Sequence, residues 1–218
     1  MSFWTTNPIT AANLDKLGPL VDGIVGTYGE YQDLYEAMID PAGPQWKKVI
    51  VTDGCILSQD VTIPSASYQG CIIGFGRKQI TLGGSKKLRI EASDFLLRNI
   101  KISNAVGNAL EIAEDRCWID EIGILYAGGI GVWFDSSLGG DLHRITNSVI
   151  YDCGDDGIEI DDSVNVSVFG TRIQACSGWG IDDNNSTALN STFVGNILNG
   201  NSLGGLSSNS TLIAANRT

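Results

Sequence analysis

A glycine or asparagine followed by a short apolar strand returns about every two dozen residues, and no other feature of this chain limits its fold so tightly. The segments LYAGGIGVWF (125–134), YDCGDDGIEI (151–160) and QACSGWGIDD (174–183) align on Gly131, Gly157 and Gly180, 26 and 23 residues apart. Asn108, before Ala-Leu, and Gly205, before Leu-Ser-Ser, extend the register by 23 and 25 residues. Self-similarity at such a period marks a solenoid, in which each unit buries its apolar face only against its neighbours.

Each unit holds three short pieces of alternating polarity. Between Gly157 and Gly180 they are GIEI, VNVSVF and TRIQA; between Gly131 and Gly157 they are GVWF, DLHRIT and SVIY. Alternation puts Val132, Phe134, Ile158 and Ile160 inside, and Trp133 and Glu159 outside. No segment of 60–218 keeps a 3.6-residue period, which argues against helical repeats. Three strands and three turns per unit predict an all-β, single-stranded parallel β-helix of about six coils. The same register stacks Cys153 on Cys176, read as two buried thiols, with a disulfide or metal site as the alternative.

Residues 49–102 carry a more specific pattern: Asp53-Gly54, then Ile63-Pro64, then Ile73-Gly74-Phe75-Gly76. This series resembles the first coils of the right-handed, pectate-lyase-like β-helix superfamily. The preceding GTYGEYQDLYEAMID resembles the short helix that covers the open end of such a core, expected at about residues 30–39. Tyr31, Leu34, Tyr35 and Met38 share one face of it at helical spacing. The superfamily includes pectate lyases, polygalacturonases, alginate epimerases, phage tailspikes and tailspike-like capsid decoration proteins, so the fold assigns no single activity.

Composition removes several classes. With 14 basic and 25 acidic residues the net charge is −11, so the chain lacks the basic surface that nucleic acid or an anionic membrane requires. No apolar stretch approaches a membrane span, and MSFWTTNPIT has neither the basic nor the apolar region of a secretory signal. The five cysteines include no C-x-x-C pair. A chain assembled in a reducing cytoplasm is expected, with no cofactor.

The stretch YDCGDDGIEIDD (151–162) concentrates six acids and admits three readings. Structurally, Asp155, Asp156, Asp161 and Asp162 flank a short strand, where Asp tolerates left-handed turns and bonds turn amides. As a cation site, Glu159 and Asp182 would stand one strand spacing apart, where Ca²⁺ would relieve their repulsion. Catalytically, Gly154-Asp155-Asp156-Gly157 resembles the Gly-Asp-Asp motif of polygalacturonases, which would make Asp155, Asp156, Glu159 and Asp182 the working acids. The family's further Asp and His-Gly have no counterparts in AGGIGVW (127–133) and SGWGI (177–181), and the chain's single histidine, His143, lies elsewhere.

Residues 1–26 precede the coils and carry Phe3, Trp4, Ile9, Leu14 and Leu17, too apolar for a solvated tail. They are expected to form an attachment arm, with the β-helix over 27–218. The C-terminal LSSNSTLIAANRT offers no cap, so neighbouring subunits are expected to cover that end. Together with the resemblance, these features lead to a non-catalytic phage virion protein: a homotrimeric capsid decoration spike whose arm docks on a capsid or tail component. The alternative is a glycan-binding or polysaccharide-degrading spike or enzyme, with Trp133 and Trp179 as sugar or subunit contacts.

Overall fold

The computed structural model describes residues 23–25, 33–39, 48–52, 55–65, 70–82, 84–135, 141–161, 165–184, 191–208, 212–214 and 216–217. Successive coils stack into two parallel sheets. A short sheet takes one strand from each of seven coils: Val61–Ile63, Leu88–Ile90, Leu110–Ile112, Val132–Asp135, Ile158–Asp161, Trp179–Asp183 and Gly204–Ser208. A long sheet of fourteen strands takes the other strands of each coil, such as Ser167–Phe169 and Arg172–Gln174. The three expected pieces of each unit are therefore three strands, with inward Val132, Phe134, Ile158 and Ile160 fully buried.

The turns explain the Asn, Asp and Gly content. Left-handed residues recur at matching corners of successive coils: Asn99, Glu121 and Asn147 at one, and Asn104, Tyr126, Asp152 and Ala175 at another. Between strands, side chains take over the bonding of backbone amides. Ile122 N–H donates to Ser148 Oγ at 3.2 Å, Ser148 N–H to Thr171 Oγ1 at 3.4 Å and Thr171 N–H to Asn196 Oδ1 at 2.9 Å. Asn196 N–H continues the series to Asn216 Oδ1 at 3.0 Å. The last two steps of this series are made by asparagine side chains, Asn196 and Asn216.

The expected covering helix forms at Leu34–Ile39, with Leu34 fully buried and Asp33 capping it by accepting the Tyr35 amide at 2.9 Å. It packs against strands Gly23–Val25, Cys55–Leu57 and Val61–Ile63 at the first coils. Two details differ from the sequence reading. The sheet begins before the expected boundary at residue 26, because Gly23–Val25 pairs in parallel with Val49–Val51. The residue in register with Gly131 is Ala109, not Asn108, since Leu110 pairs with Val132. Ala109 is small enough for the tight inner position, while Asn108 Oδ1 accepts the Ile130 amide at 3.0 Å.

Candidate functional site

Register builds a functional face on the outside of the short sheet. Arg89, Glu111, Trp133, Glu159, Asp182 and Ser207 stack in one column, each on a strand paired with the next. The first half is charge-balanced. Glu111, only 3% exposed, accepts from Lys87 Nζ at 2.8 Å and Arg89 Nη1 at 3.2 Å. Arg89 also reaches Asp135 Oδ2 at 2.8 Å and Glu91 Oε1 at 2.7 Å, which holds its guanidinium firmly protonated.

The second half carries acids alone. Among the described residues, Asp155, Asp156, Glu159, Asp161 and Asp182 form no ion pair with a cation. Their partners are neutral. The Trp133 indole N–H donates to Asp161 Oδ2 at 2.9 Å, Asn184 Nδ2 to Glu159 Oε1 at 3.2 Å, and the Trp179 amide to Asp156 Oδ1 at 2.5 Å. Trp133 and Trp179 are both half-buried, with the Trp179 ring seated over Gly204, where a Cβ would stand 2.4 Å from the ring. The two indoles sit two coils apart, roughly 10 Å along the solenoid axis at one strand spacing per coil.

Burial, then the carboxylates of Asp161, Asp156, Asp155 and Asp182, push Glu159 up to about 7. Burial also raises Asp156 to about 6, opposed by the Trp179 amide and assisted by Asp155 and Asp182. The face thus holds two carboxyls raised toward neutrality, an arrangement frequent at functional sites. It also costs stability. Glu159 binds its proton more tightly folded than unfolded, so between about 4.5 and 7 stability falls as pH rises. Glu159→Gln is therefore expected to stabilise the chain by about 1–2 kcal/mol at pH near 8 and to change little near pH 4. Thermal unfolding at both pH values checks this; an equal effect at the two would contradict it.

The structure brings together Asp155, Asp156, Glu159 and Asp182, with Trp133 in register beside Glu159 and the Trp179 amide on Asp156. Asp155 and Asp156 lie at the bend before Ile158–Asp161, where the turn reading puts them, and Asp156 accepts a backbone amide, though of the residues in 151–161 only Asp152 is left-handed. Asp162 and the arm residues Phe3, Trp4, Ile9, Leu14 and Leu17 lie outside the described residues. His143 is buried and stacks on Phe134 at 4.8 Å, an interior position. Cys153 and Cys176 are buried free thiols. Among the described residues no group of three or more His, Cys, Asp or Glu is arranged to hold a metal. Sequence reasoning missed Lys87, Arg89, Glu111 and Asp135; their one signal is spacing, since 89, 111 and 133 differ by one coil each.

No curated protein matches this sequence. Among solved structures, the A-module of a mannuronan C-5 epimerase from Azotobacter vinelandii superposes with a TM-score of 0.61 at 16% identity, over 72% of this chain. The chain spans half the length of that structure, and at this identity the likeness is one of fold. A family model described as right handed beta helix region matches residues 58–218. The chain belongs to the right-handed β-helix family.

Proposed function

We propose that this chain binds a neutral glycan along the outer face of its short sheet. The observation that carries the reading is Trp133 in register beside Glu159, with Asp156 of the same coil accepting the Trp179 amide and both carboxyls raised toward neutrality. Indole faces stack on the apolar faces of sugar rings, and carboxyls that are partly protonated both donate to and accept from hydroxyls. The unneutralised Asp155, Asp161 and Asp182 disfavour a polyanionic glycan by repulsion.

Calorimetric titration with neutral oligosaccharides tests this. Trp133→Ala and Trp179→Ala are each expected to weaken binding by about 3–10-fold, the worth of one stacking contact. Unchanged binding in the double variant would refute the site. A second reading, cleavage of the bound glycan, is favoured by Glu159 at about 7 beside Asp182. Strands about 4.8 Å apart approach the separation of the carboxyl pair in retaining glycosidases. New reducing ends that disappear in Glu159→Gln would make the chain an enzyme; their absence leaves it a binding protein.

The same body suits the trimeric virion spike expected from the sequence. Exposed Trp118 and Tyr151 stand on the long sheet and Tyr126 at the corner after its strand Gly123–Leu125, away from the proposed glycan face, where further copies have apolar surface to cover. Light scattering is expected to give three times the 23.2 kDa chain mass, and a monodisperse monomer would end that part of the proposal.

A further inference from the structure

A second concavity lies on the other wall of the solenoid. On the long sheet, Lys101, Gly123, Val149 and Arg172 stack in one column of paired strands. At Gly123 the column lacks a side chain, and a groove of about 310 Å³ opens there, bounded by Lys101, Glu121, Leu125, Asn147 and Val149.

Gly123 is the unusual element. Glycine inside a strand weakens it by roughly 0.5–1 kcal/mol and is retained where backbone geometry or a close approach requires it. Neither internal reason applies. Gly123 has no positive φ, and an added Cβ would meet nothing nearer than Lys101 Cγ at 3.5 Å, an ordinary contact. Gly131 and Gly157 contrast sharply, since a Cβ on either would stand 2.6 Å from a carbonyl oxygen of the next coil. The fold has no need of a bare backbone at Gly123. A ligand resting there does.

The walls define that ligand. Lys101 has no ion pair or hydrogen bond among the described residues, whereas Glu121 faces Arg98 at 3.4 Å, a guanidinium it shares with Asp120 at 3.3 Å. Among the described residues the Lys101 ammonium is therefore the unpaired charged group of the groove. Asn147 Nδ2 already donates to Asp120 Oδ1 at 3.3 Å, so the ammonium is the principal donor left. A carboxylate presents two acceptor oxygens to the single ammonium and leaves less of its charge unmatched than a phosphate or sulfate does. Leu125 and Val149, the latter 38% exposed, supply apolar walls. The volume lies at the lower end for small-molecule sites, which admits one ring or a short branched chain.

We propose that this groove binds a small carboxylate with an apolar body, the carboxylate on Lys101 Nζ and the body on Gly123 between Leu125 and Val149. The site is separate from the glycan face and independent of it. Titration of the full chain with phenylacetate, phenylacetamide and inorganic phosphate, followed by calorimetry and amide NMR shifts, tests it. Phenylacetate is expected to saturate with Kd at or below about 1 mM, shifting the amides of 121–125, while the amide and phosphate bind at least about tenfold more weakly. Lys101→Met and Gly123→Val should each lose about tenfold or more without lowering the unfolding temperature; Gly123→Ala, with the smaller side chain, should lose less. Failure of phenylacetate to saturate by about 10 mM, phosphate binding as tight as phenylacetate, or undiminished binding in Lys101→Met or Gly123→Val would each overturn the proposal.

Discussion

Gly157→Ala is expected to destabilise the chain by about 3 kcal/mol and to lower its unfolding temperature by roughly 6–12 °C. The added Cβ would stand 2.6 Å from the Gly180 carbonyl oxygen and 2.2 Å from Ile173 Cγ2. The Ile173 methyl has some freedom, but it is fully buried, and the Gly180 oxygen belongs to the backbone of the next coil. Relief therefore requires neighbouring coils to part, which weakens strand pairing on both sides of the substitution. Gly123→Ala is the matched control. It adds the same methyl to a strand at ordinary contact distance, and its effect should stay within about 0.5 kcal/mol. Equal losses for the two variants, measured by chemical denaturation, would mean that glycine does not set the coil spacing.

Asn196→Leu is expected to cost about 2–4 kcal/mol although leucine is larger and more apolar. Asn196 is 1% exposed, and its side chain bonds both neighbours. Its Oδ1 accepts the Thr171 amide at 2.9 Å, and its Nδ2 donates to the Val168 carbonyl at 3.0 Å and to Asn216 Oδ1 at 3.1 Å. Leucine would leave a buried backbone donor and acceptor without these partners, and desolvation of each costs about 1–3 kcal/mol. Apolar gain in transfer offsets only part of this. Hydrogen exchange at Thr171 should report the loss locally, because its amide bonds to the side chain and not to another strand. A neutral or stabilising Asn196→Leu would show that the ladder is incidental to stability.

The solenoid was legible because its constraint repeats. Gly131, Gly157 and Gly180 each remove a carbonyl clash with the next coil, so the glycines themselves mark the period. Legibility failed where different chemistry solves the same problem. Ala109 occupies the glycine position in the preceding coil, and taking Asn108 as its equivalent shifted the register there by one residue. Gly23–Val25 was assigned to the arm because three residues carry too little periodicity to reveal a strand. In the acidic stretch, the sequence displays the acids at the ends of a strand but not what they face across coils. Their real placing follows from register: Glu159 opposite Asp182, and Asp156 beneath the Trp179 amide. The cations Lys87 and Arg89 belong to Glu111 and Asp135, contacts made across coils that no local run of sequence displays. That pairing leaves the acids of the later coils uncompensated, and burial together with their mutual repulsion raises Glu159 and Asp156 toward neutrality.

The most direct test of the proposed function is where a sugar sits. A crystal of the chain grown with its tightest-binding neutral oligosaccharide should show rings against Trp133 and Trp179, with hydroxyls bonded to Glu159 and Asp156. A sugar bound only on the long sheet, or away from both tryptophans, would contradict it.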